Sequence, residues 1–464
     1  MDYIENKTFD EIKAGDSFSL SRTLTADDIK LFAVMSGDVN PAHLDDDYAR
    51  SDMFHKIIAH GMWGGALIST LLGTRVPGPG AIYLGQTLKF TKPVGLGDTV
   101  TVTLTVTRKD PETHRVTFDC RCTNQKGEVV ISGESLVIAP TEKIKRPRVI
   151  LPEVHLHDHE TRFRELLRLT EGLPPLRTAI VHPVDGNSLR GAVDAAKTGL
   201  VIPILIGPEA KIRAAAATEQ IDLSPYELVP TQHSHEAAAT AVAMARAGKV
   251  NAMLKGSLNL DELMHEVADS HTGLCTGRRI SHVFAMDVPE YSRSLFITDA
   301  VINIYPDLED KRDIIQNGID LVRALGVELP RVAILSAVEA VTPRIRSTLE
   351  AAVLCKMAER GQITGGVVDG PLAFDNAVSE QAARLKGINS PVAGRADILV
   401  VPEIESGNML AKQLEYLADA LAAEVIVGAR VPIALTSRSE KPRSWIASCA
   451  LALLVSQPRR PVAI

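Results

Sequence analysis

The sequence predicts a multidomain chain, an α+β unit at the amino end followed by a longer two-lobed α/β unit. Three observations predict it. At 464 residues the chain exceeds what one hydrophobic core usually serves. Residues 1–139 set one apolar helix ahead of four runs with strand-like patterning. Beyond about residue 160, near-continuous apolar runs alternate with Ala-rich helical stretches, as in βαβ units with helices on both faces.

In the first unit, a helical start spans Thr25 to Met35, and a second, apolar helix runs from about Met62 to Leu72. Strand-like runs follow at Ala81 to Phe90, Thr99 to Thr107, Arg115 to Thr123 and Val129 to Ile138. The Thr-Val alternation from Thr99 to Val106 has period two, which marks a strand with one face covered. Pro93, Gly95 and Gly97, then Lys109-Asp110-Pro111, then Asn124 to Gly127 punctuate the turns. Residues 140–159 mix prolines and charges without periodicity and read as a linker. From 160 to 464 the buried-type runs are Thr178–Val181, Val201–Ile206, Val250–Leu254, Leu295–Ile304, Val332–Leu335, Thr364–Val368, Ile398–Val401 and Val425–Leu435. Glu236 to Ala247 is one of the helices between them, and the length suggests two lobes with a cleft.

Composition narrows the function. A net charge of −7 argues against a nucleic-acid or anionic-membrane partner held by bulk charge. No apolar stretch reaches the length of a membrane span, and the amino terminus lacks the pattern of a signal peptide. Five scattered cysteines fit neither a disulfide framework nor a zinc knuckle, which makes a reduced, cytoplasmic setting the expectation. The His155-Leu156-His157-Asp158-His159 tract reads as solvated linker, so no metal site is expected.

The most specific short signal is Gly37-Asp38-Val39-Asn40-Pro41-Ala42-His43, followed seventeen residues on by His60-Gly61-Met62. Asp38 and His43 lie around an Asn-Pro turn. A water between a carboxylate and a neutral imidazole can lose a proton to one while another is delivered to carbon. Gly61 opens the apolar helix, where free N–H groups can polarise a thioester carbonyl. His60 reads as a structural residue ahead of that helix. Asp38 and Asn40 could instead serve only as an Asx turn or cap.

Residues 1–139 resemble the MaoC-like, R-specific enoyl-CoA hydratases of the hot-dog fold. The resemblance rests on Ser36 to Asp45, His60-Gly61-Met62 through Leu67-Ile68-Ser69, and Ile82-Tyr83-Leu84-Gly85-Gln86. It implies that Asp38 and His43 activate the water, that the Gly61 amide holds the thioester oxygen, and that Ser69 lies beside the dyad. Asn40 is a candidate substrate contact.

In the second unit, Lys255-Gly256-Ser257 follows one apolar run and Thr436-Ser437-Arg438 follows another. Strand ends of this kind are where α/β folds place ligands, and a glycine there lets amides approach an anion. From about 160 to 464 the chain resembles the phosphate acetyl/butyryltransferases, through Leu254 to Leu258, Thr276 to His282, Thr298 to Asn303, Val332 to Ala337, Val368 to Ala377 and Leu435 to Arg438. The resemblance implies a two-lobed fold of the phosphotransacylase and isocitrate-dehydrogenase kind, the second lobe (about 281–431) inserted into the first. It makes Ser437 and Arg438 the acyl-phosphate and coenzyme A contacts. Arg278, Arg279 and Asp369 are further candidates, each with a structural alternative. Where acetyl-branch enzymes carry an aspartate as base for the thiol, this chain carries Ser444; Glu440 or neighbouring cations could serve instead.

The expectation is therefore a bifunctional enzyme with no bound cofactor, taking coenzyme A thioesters and inorganic phosphate as substrates. A homodimer or larger homo-oligomer is expected. The alternative is an active transferase carrying a silent hot-dog module for binding or assembly. A decarboxylating dehydrogenase of similar architecture is a further alternative for the second unit.

Overall fold

The structure is a computed structural model and describes residues 3–151, 154, 156, 159–436 and 442–457. Two compact units divide the chain, residues 1–157 and 158–464.

The first unit opens with β1 (Tyr3–Glu5) and β2 (Ser17–Thr23), then helix α1 (Ala26–Ser36). Thr25 and Asp28 cap each other reciprocally at its start, and Gly37 ends it with φ 75°, a conformation that favours glycine. Short helices α2 (Pro41–Leu44) and α3 (Asp46–Ser51) lead to α4 (Gly61–Thr74). β3 (Ile82–Phe90), β4 (Thr99–Asp110), β5 (Arg115–Thr123), β6 (Val129–Ile138) and β7 (Lys145–Pro147) follow. The five-stranded sheet runs β2-β4-β5-β6-β3 and is antiparallel throughout.

β4 explains the packing. Val100, Val102, Leu104 and Val106 are all buried, while the threonines between them point to the other face. Trp63, Leu67, Ile68, Leu71 and Leu72 of α4 join the same core with Phe118 and Ile131. Each side chain so buried contributes roughly 1.5–3 kcal/mol. Cys120 and Cys122 share this inward face of β5, and burial pushes the Cys122 thiol up to about 12. All five cysteines are free.

The first part of the expected linker is not one. β7 pairs antiparallel with β1 through Tyr3↔Pro147, Ile4↔Arg146 and Glu5↔Lys145. The Asn6 side chain donates to the Glu142 carbonyl and accepts from the Ile144 N–H. A proline is tolerated at such an edge, where no ladder N–H is required of it.

The second unit begins with α5 (His159–Leu169), β8 (Leu176–Val181), α6 (Gly186–Lys197), β9 (Val201–Gly207), α7 (Glu209–Glu219) and β10 (Glu227–Pro230). It continues through α8 (Ser234–Arg246), β11 (Ala252–Lys255), α9 (Leu260–Ala268), β12 (Ser281–Asp287) and β13 (Leu295–Thr298). Then come α10 (Leu308–Ala324), β14 (Arg331–Leu335), α11 (Arg346–Glu359), β15 (Val367–Leu372), α12 (Phe374–Val378) and α13 (Glu380–Leu385). β16 (Ile398–Val400), α14 (Ile404–Leu417), β17 (Leu421–Val427), β18 (Ile433–Leu435) and α15 (Pro442–Ser456) complete it.

One sheet of eleven strands, in the order β10-β9-β8-β11-β18-β17-β12-β13-β16-β14-β15, runs through both lobes. In the first lobe, Ile180, Leu205 and Trp445 pack on one side and Val181, Ile206 and Met253 on the other. In the second, separate clusters form around Ile297 and Leu399 and around Val283 and Ile319.

Three readings of this unit change. The run Val425–Leu435 is two antiparallel strands, β17 and β18, separated by a turn containing Gly428 at φ 88°. The run from Leu295 stops as a strand at Thr298, because the Asp299 carboxylate accepts the N–H groups of Val301, Ile302 and Asn303 and turns the chain. Ser281–Asp287 is a central strand, unrecognised in sequence because its apolar run, Val283–Met286, is short and lies between polar residues. Among the described residues no helix is long and apolar enough to cross a membrane.

Candidate functional site

The Asn40-Pro41 turn folds as it does because Asn40 is an N-cap: its side-chain oxygen accepts from the Ala42 N–H at 3.1 Å, with Pro41 at the first helical position. This is the cap role given as the alternative for Asn40, and it occupies the side-chain oxygen only. The resulting short helix swings His43 back toward the segment before α4. There its Nδ1–H donates to the Ile58 carbonyl at 2.9 Å. A carbonyl can only accept, so the neutral ring keeps its lone pair on Nε2, the form a base needs.

Asp38 lies exposed on the preceding loop, and its Oδ1 accepts from the Asn40 N–H. Asp38, His43 and His60 each bring one ligating atom within 4.8 Å of the others. They are the set among the described residues that could share a cation, although His60 already directs Nε2 at the Asp38 carbonyl, 3.0 Å away. His60 lies ring against ring with His43, centres 4.0 Å apart, and with Phe32, 5.0 Å apart.

A cavity of about 310 Å³ opens beside these groups, lined by His43, His60, Gly61, Trp63, Phe90 and Ile131 among others. Gly61 is the first residue of α4, so its N–H has no acceptor within the helix. A side chain there would meet the Phe90 ring, 3.2 Å from the new Cβ. His43 and Gly61 therefore face one apolar pocket, and a carboxylate oxygen of Asp38 lies within 4.8 Å of a ring nitrogen of His43. Ser69 does not join them: it lies eight residues along α4 from Gly61, about 12 Å, on an exposed side, and does not line the cavity.

In the second unit, β8, β11 and β18 are adjacent and parallel, with Val181 beside Lys255 and Leu254 beside Ala434. Their carboxyl ends gather His182, Lys255-Gly256-Ser257 and Thr436. Ser437, Arg438 and Glu440 lie outside the described residues. Ser444, at the start of α15, is buried.

Gly256 serves close packing rather than anion approach. A Cβ there would lie 2.5 Å from the Val181 carbonyl oxygen and 2.9 Å from that of His182. The Gly256 and Ser257 N–H groups donate to those same two carbonyls, so neither is available to a ligand. His182, with φ 57°, reinforces the contact by donating from Nδ1–H to the Ser257 carbonyl at 3.0 Å. Burial disfavours the charged Asp185 carboxylate nearby, but hydrogen bonds from the Ser188 backbone and side chain and from Ser257 outweigh it and hold the group below its ordinary value. The buried hydroxyls of Thr231, just after β10, and Thr436, just after β18, have no protein partner. Such groups are the kind a bound polar ligand satisfies.

The remaining candidates are placed elsewhere. Arg278 pairs with Asp320 at 2.5 Å, and Arg279 donates to Asn303 at 2.7 Å and lies 3.4 Å from Asp310. Both guanidinium groups thus tie their loop to α10, a structural role of the kind given as their alternative, while both stay partly exposed. Asp369 is on β15, the edge strand seven positions from β11, about 33 Å along the sheet. Its Oδ1 accepts the neighbouring Gly370 N–H.

Residues 230–453 match the family described as phosphate acetyl/butaryl transferase, and residues 8–124 match the MaoC-like domain. A phosphate acetyltransferase of Rhizobium meliloti is 60% identical over 300 residues, spanning 65% of this chain and 95% of the relative. The chain belongs to the phosphate acetyl/butyryltransferase family. Its transferase half is also similar to a branched-chain phosphotransacylase of Enterococcus faecalis, at 28% identity and a TM-score of 0.54, over 61% of this chain and all of that one. The R-hydratase PhaJ1 of Pseudomonas aeruginosa is 43% identical over 33% of this chain and 99% of its own, with a TM-score of 0.33. The chain is thus a family member carrying an amino-terminal hot-dog domain, and its carboxy-terminal half has the two-lobed α/β fold.

Proposed function

We propose that the chain is a bifunctional enzyme acting on coenzyme A thioesters. The transferase half exchanges coenzyme A for inorganic phosphate on a short acyl group: phosphate oxygen bonds to the carbonyl carbon as the thiolate leaves, giving acyl phosphate and free thiol. The relative that is 60% identical over nearly its whole length carries this reading, and its printed name makes acetyl the first group to test. Ser437 and Arg438 are proposed to hold the acyl phosphate. The second lobe is proposed as the insertion at about 281–431. Thiol release from acetyl-CoA in phosphate buffer, compared between the chain and its Arg438→Gln variant, tests it; equal rates would refute the assignment.

The hot-dog domain is proposed to hydrate trans-2-enoyl-CoA. His43 Nε2 takes a proton from a water that Asp38 also holds, and the hydroxyl adds to C3. The Gly61 N–H supports the enolate oxygen, and a proton returned to C2 completes the 3-hydroxyacyl product. One observation supports this over a silent module: the base and the free amide line one apolar cavity, with the carboxylate within 4.8 Å of the base. Loss of enoyl absorbance from crotonyl-CoA tests it. An Asp38→Asn variant as fast as the original chain, or no hydration by either, would favour the silent module. A homodimer or larger assembly is part of the proposal, tested by light scattering of the full chain.

A further inference from the structure

We propose that His60 is the positioning residue of the hydration site, holding the Asp38 loop with one edge of its imidazole and the His43 ring with a face. The proposal rests on the hydration reading above.

His60 is buried, 3% exposed, at the position just before α4. Its Nδ1 has no hydrogen-bond partner. A buried acceptor left unpaired is disfavoured, and a phenyl ring would fill the space without it. What a phenyl ring lacks is the Nε2–H, which donates to the Asp38 backbone carbonyl across 22 residues of sequence. The other hydrogen bonds of that loop are local. Gly37 N–H reaches Ala33, Asp38 N–H reaches Ser36, and the Asn40 groups bond within residues 38–43. Among the described residues, His60 is therefore the loop's one hydrogen-bonded anchor outside residues 33–43.

The ring itself is held between two others, Phe32 of α1 on one side and His43 of α2 on the other. Pinned by the Ile58 carbonyl at Nδ1 and by this stacking, His43 can present Nε2 in one orientation only. Gly61 follows His60 directly in the chain. One side chain thus sets the carboxylate, the imidazole and the amide relative to one another. Its Nε2 is committed to the Asp38 carbonyl and its Nδ1 is buried without a partner, so it acts through its neighbours.

The test compares His60→Phe and His60→Gln in the full chain, with thiol release by the transferase half as the control for intact protein. Phenylalanine keeps the ring and removes the donor; glutamine can return an N–H near the Nε2 position. The phenylalanine variant is expected to lose hydration kcat by roughly 10²-fold with KM nearly unchanged, since a small misplacement of reacting groups costs about that much. Glutamine is expected to restore a large part. Hydration by His60→Phe at the original rate, or an equal loss in both variants with a matching fall in thermal stability, would overturn the proposal. If the unaltered chain does not hydrate crotonyl-CoA, the hydration reading fails by itself. Imidazole nitrogen NMR then decides the positioning claim. His43 is expected as the Nδ1–H tautomer in the original chain, with that signal and the Asp38 amide displaced in His60→Phe; unchanged spectra would refute it.

Discussion

Gly64 and Ile131 meet where α4 crosses the sheet, so closely that a methyl on the glycine would lie 2.3 Å from Ile131 Cδ1. Gly64→Ala should therefore overpack the inner core and destabilise the first unit by roughly 1–3 kcal/mol, lowering its Tm by several degrees. Ile131→Val removes the clashing carbon, and calorimetry of the double variant should show most of the loss recovered. Additive losses would mean the helix moves as a body instead.

His43→Asn separates the two nitrogens of the ring. The asparagine amide can still donate to the Ile58 carbonyl, as Nδ1–H does, but nothing replaces Nε2. Hydration should fall roughly 10²–10⁴-fold while thermal stability stays within about 1 kcal/mol. Transferase activity should not change.

Gly256→Ala should have the opposite selectivity. The atoms its methyl would strike are backbone carbonyls of β8 and the residue after it, which cannot swing aside. We expect acyl transfer to collapse, with a lower Tm for the second unit and hydration unaffected. Asp369→Asn, by contrast, should leave acyl transfer within about two-fold of the original, because its strand lies at the far edge of the sheet.

Asp185 supplies a pH signature. Its carboxyl is held below the ordinary value of 3.8 in the folded chain, so its contribution to stability is present above that pH and is lost as pH falls through the lower folded value. Asp185→Asn should flatten the acid limb of the second unit's stability below about pH 3.8 and lower stability at neutral pH, where the charged carboxylate's contribution is fully present. A limb of unchanged slope would locate the acid sensitivity in other carboxylates.

The sequence revealed strands wherever one pattern dominated. β5 and β6 begin and end at the expected residues, and β4 runs three residues past its expected end, because valines and threonines alternate between clear turn signals. β2 escaped notice since only Phe18 and Leu20 supply the apolar side of its alternation on an edge strand. β17 and β18 merged into one run because Val425–Val427 and Ile433–Leu435 are both apolar and a short change of direction is easily overlooked. The closeness of Asp38 and His43 was legible from their spacing around Asn40-Pro41, read together with His60-Gly61-Met62. The part played by His60 was not, because it depends on stacking and a hydrogen bond between segments far apart in sequence. The ion pairs of Arg278 and Arg279 were hidden for a similar reason: their carboxylate partners lie more than 30 residues onward.

The pairing of Tyr3–Glu5 with Lys145–Pro147 brings the two ends of the hydratase-like module side by side. A body whose ends meet can be joined to another polypeptide through a single short tether, because it closes on itself whatever the tether carries. Trimming it back to residue 139 would strip the outer strand from Ile4 and expose an unpaired edge, so an excised piece should stay monodisperse only if it extends through Arg148.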